Sequence, residues 1–492
     1  MKYLIYSNTG LTSKQLGLTA EIVENLKSSG NEVLVVLCDN ILENCFFNRV
    51  HNVAGCASCQ SRMKVLLKAA GVQPAEMIRL KHYPEAYRAP LPHFHHMDEL
   101  YAFSYEGINV GRGVASSVIS YKRDFDLIQE QYREIIEVEL RKSINVLLNF
   151  QDILQSWQPD EVYLFNGRFA EVFPLMELAR SKNLRFYTLE SGSGNNYEMF
   201  RDHLPHSIAS RQESMNELWE HSDESERMRI GREWFEKKRA GDDSIERSFT
   251  RHQDKDQLPE GFNPDIRNIA LLNGSQDELM AVPEWKSPLF EYQNDAIRQI
   301  LQHYSGNPGM HFYLRVHPNL GQVDNIQMKE IRRMDYPNLT VIMPESLAST
   351  YKLIDACEKV IAFGSSTGIE AAYWNTPSIL YGRGFYENLG SVYTPASFGE
   401  LIDFVDDPDL PPLPITGALK YGFYMSMFGK KTKYFNFKGL MNSTYKGKRI
   451  RVIYCSTFPL MLRYLSRFGL WKRLHRIYYG KGFGLKSLTR YK

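Results

Sequence analysis

Apolar residues fall into short runs and helical repeats that spell strand, loop, helix, strand from the first residues onward. Lys2 to Tyr6 is β-branched and aromatic, Ser7 to Ser13 is small and polar, Lys14 to Ser28 repeats its apolar positions at helical spacing, and Glu32 to Leu37 is an apolar run. This order predicts a βαβ unit. It returns as a strand at Glu161 to Phe165, a helix at Ala170 to Ser181 and a strand at Leu184 to Leu189 that ends in the small-residue loop SGSGNN. Strands alternating with helices form mostly parallel sheets, whose ligands sit beyond the carboxyl ends of the strands.

Between Glu213 and Gln257 charge dominates, which predicts solvated helices running into a linker punctuated by Pro259, Gly261 and Pro264. A second series follows. Strands are expected at Asn268 to Leu272, His311 to Val316, Asn338 to Met343, Lys359 to Phe363 and Ser378 to Tyr381, with helices at Phe290 to Tyr304, Ser346 to Ala356 and Thr367 to Trp374. The pattern predicts an α/β chain of two doubly wound domains facing a cleft, residues 1–258 and 259–410, followed by a basic helical tail, 411–492. In that tail Phe458 to Tyr479 interleaves aromatic and aliphatic residues with Arg463, Arg467, Lys472, Arg473 and Arg476. Such a helix suits a bilayer surface, where aromatic rings and basic side chains share the headgroup zone; the alternative is a basic helix folded back on the body.

Charge sharpens that division. The 492 residues carry 59 Lys or Arg against 57 Asp or Glu, a net +2, yet from Tyr421 onward there are 17 basic residues and no acidic one. The remainder is correspondingly acidic, and such asymmetry marks an anionic partner. No nucleic-acid recognition motif accompanies the charge, so the expected partner is an anionic membrane surface. Apolar residues at 43 % and a chain of this length exclude both disorder and a single small module. No run is long and apolar enough to span a bilayer or act as a signal peptide, and six cysteines are too few for a disulfide scaffold. The expectation is a cytoplasmic protein, peripheral on the inner face of the membrane.

Two loops in the second series carry chemistry. Phe363 leads into Gly364-Ser365-Ser366-Thr367-Gly368 and directly into a helix, so backbone N–H groups and three hydroxyls face the space beyond the strand, as anion-binding helix starts do; the alternative is a helix that caps itself. Glu370, one turn in, is positioned to accept hydrogen bonds from ribose hydroxyls. Arg315-Val316-His317-Pro318-Asn319 places an arginine and a cationic imidazole at the same edge. Together the segments resemble the C-terminal half of bacterial capsular polysaccharide glycosyltransferases of the GT-B fold, two Rossmann-like domains across a cleft. That group includes the Kdo transferases and, more distantly, bacterial sialyltransferases with His-Pro and paired-serine motifs. The matching stretch is residues 268–384. The resemblance implies that His317, Ser365 and Ser366 hold the phosphate and nucleotide of a CMP-activated sugar such as CMP-Kdo, with Arg315, Thr367, Gly368 and Glu370 beside them; a UDP-sugar also suits the helix motif.

The first half is then expected to hold a glycan or lipid-linked glycan acceptor. Glu190, at a strand end before a glycine-rich turn, is the expected catalytic base, and Asn166, Arg168, His203 and His206 are expected to line the same side. The alternative for Glu190 is a carboxylate that caps its own turn. Cys38, Cys45, Cys56 and Cys59 lie within 22 residues in the spacing C-x6-C-x10-C-x2-C, with His51 between them. Buried thiols, a structural zinc with His51 able to replace one thiol, and an iron–sulfur cluster all fit that spacing. Catalysis itself requires no cofactor in this reading. The expected activity is sugar transfer in capsule or surface-polysaccharide synthesis; a nucleotide-sugar epimerase of the same architecture and a non-catalytic glycan-binding assembly component are the alternatives.

Overall fold

The computed structural model describes residues 1–450 apart from 39, 43, 50, 244–247 and 440–441. In chain order its strands are β1 (Lys2–Ser7), β2 (Glu32–Leu37), β3 (Met77–Arg79), β4 (Ser104–Tyr105), β5 (Ile108–Asn109), β6 (Glu161–Phe165), β7 (Arg185–Ser191) and β8 (Asn196–Arg201). They continue as β9 (Arg267–Leu272), β10 (Met310–Arg315), β11 (Leu339–Ile342), β12 (Lys359–Ala362), β13 (Ser378–Leu380), β14 (Lys430–Lys431), β15 (Phe435–Asn436), β16 (Thr444–Tyr445) and β17 (Lys448–Arg449).

Two large sheets follow the same winding rule. The second has the order β11-β10-β9-β12-β13 and is parallel throughout. The first has the order β14-β8-β7-β6-β1-β2-β3, parallel from β7 to β3, with β8 and β14 added antiparallel at one edge. In each, the first strand of the series lies centrally and the chain winds outward in both directions, which opens a crevice where the direction reverses. The reversal falls between β1 and β6 in one sheet and between β9 and β12 in the other.

Alternation along the strands fills both faces, as a parallel sheet requires. Leu4, Tyr6, Leu34 and Val36 pack on Phe150 and Leu147 from the long helix Arg133–Trp157, whereas Tyr3, Ile5, Val33 and Val35 face Leu16, Ile22 and Leu67 on the other side. In the second sheet Ala270, Leu272 and Tyr313 share a cluster with Trp234, and Ile269, Leu271, Phe312 and Leu314 pack on Ile297 and Ile300. The expected βαβ unit, the 161–189 series and all five strands of the second series form within a few residues of their expected bounds.

Three expectations change. β7 continues through Glu190 and turns into β8, so SGSGNN is the bend of an antiparallel hairpin in which Glu190 pairs with Glu198. The charged region folds as helices Ile208–Glu220 and Glu224–Ala240, and the second is not merely solvated: Trp234 and Phe235 are buried. It packs on the helix Thr416–Met427, where a Cβ on Gly422 would stand 2.7 Å from the Gly231 carbonyl oxygen, so glycine permits the close crossing. Finally, residues 411–450, assigned in sequence to the tail, fold onto the body. β14 pairs with β8 and β15 lies against the first helix, Ser13–Ser28. The amphipathic stretch Phe458 to Tyr479 lies outside the described residues. Among the described residues no helix is long and apolar enough to cross a membrane.

One buried side chain holds the entry into β15. Glu21, 1 % exposed, accepts backbone N–H bonds from Lys433 (2.6 Å), Tyr434 (2.8 Å) and Phe435 (3.0 Å). Replacing Glu21 with Ala strands these amides and is expected to cost about 3 kcal/mol, at roughly 1 kcal/mol or more per unpaired buried group. Urea unfolding measures the loss, and Glu21→Gln, which retains one acceptor oxygen, is expected to lose less.

Candidate functional site

Register brings the two sequence motifs together. Leu272 of β9 is the partner of Arg315 on β10 and of Ala362 on β12, so three adjacent parallel strands end at one level. With strands about 4.8 Å apart, the loops leaving β10 and β12 stand about 10 Å apart across the end of β9. Asn273, the first residue after β9, occupies the gap. It is 1 % exposed, its Oδ1 accepts the His317 backbone N–H at 2.8 Å, and its Nδ2 has no hydrogen-bond partner among the described residues.

The imidazole of His317 is neutral rather than cationic. Its Nδ1 accepts the Asn319 N–H at 3.2 Å, which assigns the ring proton to Nε2. Burial and the nearby Arg123 guanidinium pull its pKa down to about 4, with Asp277 opposing. Arg315 is 4 % exposed and donates from Nη1 to the Met343 carbonyl at 3.2 Å, while Nε and Nη2 are unpaired among the described residues. Burial draws its pKa down to about 10 against the pull of Glu345. It lies inside the domain, behind the surface of the loop.

Gly364 turns the chain with φ +95°, where a Cβ would meet the Arg383 carbonyl oxygen at 2.9 Å. The Ser365 hydroxyl contacts Thr367 Oγ1 (3.2 Å) and accepts the Thr367 N–H (3.3 Å), and the Ser366 hydroxyl reaches Glu370 Oε1 at 3.4 Å. Glu370 is 3 % exposed and also accepts the Tyr351 hydroxyl. It braces the interior rather than presenting a carboxylate to a ribose. Gly368 is required by packing, since a Cβ there would lie 2.6 Å from both Ala362 Cβ and the Tyr386 hydroxyl.

The first sheet contributes from the loop after β6 and the end of β7. Asn166 Nδ2 donates to Glu190 Oε2 at 2.9 Å, and the Ser191 N–H donates to Oε1 at 2.8 Å. Arg168 donates to the Ser116 and Ser120 hydroxyls at 2.8 and 3.0 Å, and burial draws its pKa down to about 10 against the pull of Glu190 and Glu278. His206 is held neutral, its pKa pulled down to about 3 by burial and by Arg168 and Arg211, while its carbonyl accepts the Trp285 indole N–H at 2.7 Å. His203 is exposed and, with Arg112, Arg168, Arg180 and Glu284, lines a cavity of about 110 Å³.

Between these groups stands a residue the motifs did not single out. Glu278, in the short helix Gln276–Met280 after β9, accepts from Asn319 Nδ2 at 2.9 Å and pairs with Arg123 at 3.5 Å. Its side chain is half-exposed, yet the surrounding protein and Asp277 raise its pKa, with Arg123, Asn319 and Arg168 opposing. Arg123 also binds Asp277 and, at 2.9 Å, the Ser275 hydroxyl, joining the first half of the chain to the second. A line of interacting groups thus runs from Glu190 through Arg168, Glu278 and Arg123 to Asp277 and His317. Beside it, His95, Tyr101, Arg112, Asp126, Lys286 and Tyr292 help line a cavity of about 680 Å³ shared by both halves. An acidic pair a few residues beyond a strand, in the first turn of the helix that follows, was the available signal for Glu278. Arg123 had none, because its position is set by a left-handed turn (φ 56°) at the end of helix Gly111–Lys122.

The four clustered cysteines are partly buried, and burial raises all four thiol pKa values, those of Cys38 and Cys59 to about 12. Among the described residues no group of three or more His, Cys, Asp or Glu side chains is arranged to hold a metal ion. His51 turns its Nε2 to Asn40 Oδ1 at 2.7 Å.

No protein-family model and no curated protein matches this chain. Among solved structures it is similar to the β-Kdo 2,4 transferase KpsC of Thermosulfurimonas dismutans, at 17 % identity over 54 % of this chain and 80 % of that one, TM-score 0.37. It is also similar to a UDP-GlcNAc 2-epimerase from Neisseria meningitidis (11 %, 86 % and 97 %, TM-score 0.29) and to the glycosyltransferase SnogD from Streptomyces nogalater (12 %, 87 % and 96 %, TM-score 0.24).

The neutral His317 makes stability depend on pH. Its folded pKa lies below the unfolded value of about 6.5, so its contribution is intact above that pH and declines as the pH falls towards about 4, by up to roughly 3 kcal/mol. His206 acts in the same direction. Melting temperature measured from pH 7 to 4 is expected to fall more steeply for the native chain than for His317→Asn.

Proposed function

We propose that this protein is a glycosyltransferase of the GT-B type, passing a sugar from a nucleotide-activated donor to a glycan acceptor in bacterial capsule or surface-polysaccharide synthesis. A CMP-sugar of the Kdo or sialic-acid kind is the favoured donor, with a UDP-sugar second. The observation that carries the reading is the common level of β9, β10 and β12, which sets His317 and the Ser365–Gly368 loop on either side of Asn273 at a topological switch point. That edge offers the neutral Nε2–H of His317 and the Thr367 hydroxyl, whose oxygen accepts from Ser365, to a leaving phosphate, and Arg123 supplies positive charge beside them. Arg315 and Glu370 serve this edge from behind, as packing partners of the loops.

The acceptor hydroxyl attacks the anomeric carbon while the bond to the donor phosphate breaks. Three carboxylates belong to the connecting line; Asp277 is buried against Arg123, and of the other two Glu278 is the better placed to take the hydroxyl proton, being half-exposed with a pKa raised by the surrounding protein and Asp277. Glu190, with both oxygens engaged, orients Asn166 and Arg168 towards the acceptor. His203 and His206 complete the acceptor side. The basic residues of the tail hold the enzyme on the inner face of the cytoplasmic membrane, near a lipid-linked acceptor.

Glu278→Gln is expected to lower kcat by about 10²- to 10⁴-fold with an unchanged melting temperature, and Glu190→Gln to act mainly on KM. The reverse pattern would return the base to Glu190. CMP or UDP at a hundred times its Kd is expected to stabilise the native chain by about 2.7 kcal/mol, seen as a raised melting temperature; no shift with any nucleotide would leave a glycan-binding component. Formation of a 2-epimer from UDP-GlcNAc without acceptor would identify an epimerase instead.

A further inference from the structure

The cavity of about 680 Å³ is used by no step above. Its first-half wall comes from the helix Met97–Ala102, from Arg112 at the start of the helix Gly111–Lys122 and from the loop that carries Asp126. Its second-half wall comes from Leu279 and Met280, the two residues after Glu278 on the helix Gln276–Met280, and from Lys286, Glu291 and Tyr292. The Tyr101 hydroxyl ties the two walls by donating to the Met280 carbonyl at 2.9 Å. The cavity therefore begins one residue beyond the candidate base and exists only while both halves are together.

Size and lining define what fits. A cavity of about 150 Å³ holds one six-membered ring, so this one has room for about four. Its charges are mixed: Arg112 and Lys286 are exposed cations with no ion pair among the described residues, while Asp98, Asp126 and Glu291 supply carboxylates. With the His95 and His96 imidazoles counted neutral, anions outnumber cations, which disfavours the diphosphate of a nucleotide sugar. A lipid chain is disfavoured too, because it would strip water from these charges without replacing its hydrogen bonds. Hydroxyl groups both donate and accept, so a ligand rich in them meets cations and carboxylates alike. Two rings supply flat apolar faces for the C–H faces of sugars. Tyr101 is fixed by its bond to Met280, and Tyr292 stacks on Phe125 with ring centroids 5.3 Å apart and planes 28° apart. Held in place, such rings offer contact area at little conformational cost.

On the glycosyltransferase reading, on which this rests, we infer that the cavity holds a run of about three or four residues of the acceptor glycan, behind the residue whose hydroxyl meets Glu278. The enzyme then extends an existing chain rather than adding the first sugar to a carrier. Arg112 and Lys286 donate to ring and hydroxyl oxygens, the carboxylates accept from hydroxyls, and Tyr101 and Tyr292 carry the apolar ring faces. Each further residue of the chain adds contacts until the cavity is full, and longer chains gain nothing more.

The full-length protein, without nucleotide, is applied to an array of defined bacterial surface oligosaccharides running from monosaccharides to hexasaccharides. Affinity is expected to rise to about the tetrasaccharide and then level off. In titration calorimetry with the best-bound tetrasaccharide, Lys286→Ala and Tyr292→Ala are each expected to weaken binding about tenfold and to flatten its dependence on length, whereas Glu278→Gln binds as the native chain does. Melting temperatures check that the variants fold; should Tyr292→Ala fail to, Lys286→Ala, at an exposed and unpaired side chain, decides. Affinity independent of length, no saccharide bound, a folded Lys286→Ala variant that binds the tetrasaccharide like the native chain, or CMP or UDP binding that Lys286→Ala abolishes would overturn the assignment. Length-dependent binding by a protein without transferase activity would keep glycan in the cavity and remove the transferase reading, whereas transfer with length-independent affinity would keep that reading and remove the cavity's role.

Discussion

The structure depends first on a register. Parallel pairing of β10 and β12 with β9 puts Arg315, Leu272 and Ala362 at one height, so whatever follows each strand emerges together. Because the winding direction reverses between β9 and β12, the helices that follow them cover opposite faces and leave the edge between them open. Asn273 stands there with its amide oxygen committed to the His317 N–H and its Nδ2 without a hydrogen-bond partner among the described residues. The first sheet repeats the arrangement at β1 and β6, which aims the Asn166–Arg168 loop from the other half of the chain.

Between these two edges the electrostatics are arranged in series. Arg168 interacts with both Glu190 and Glu278, and Glu278 with Arg123, which in turn binds Asp277 close to His317. Partial burial makes each interaction stronger than it would be in water and makes each unpaired group costly. Charge is therefore concentrated on arginine, which keeps its proton under such conditions, while the histidines are driven neutral and serve as hydrogen-bonding groups. A network spread over both halves also resists their separation, since pulling Arg123 from Asp277 would leave a buried carboxylate, 2 % exposed, without its partner.

The same economy explains the path of the chain after the second sheet. The helix Thr416–Met427 crosses Glu224–Ala240 through glycines, and β14 extends the first sheet at its antiparallel edge. An exposed sheet edge is a liability, and β14 shortens what β8 would otherwise present. Glu21 then secures the return by accepting the three successive amides that lead into and open β15.

Local pattern was enough for much of this. The strands of both sheets were legible because buried parallel strands are apolar runs bounded by small polar loops, and His317 and Ser365 were legible because they follow such runs directly. The ionisation of His317, the interior position of Glu370 and Arg315, and the hairpin that captures Glu190 were not legible, because they depend on what packs against each residue from distant segments. The folding of residues 411–450 was missed for a related reason: a basic, aromatic stretch reads as a surface tail until it is known which face another element covers. The sequence by itself determined the alternation of strand and helix and the residues at the strand ends. Only the tertiary structure decided which ends share a level, how Arg123 and Glu278 bridge them, and which charges survive burial, since these follow from sheet register and solvent exclusion, which no local run of residues encodes.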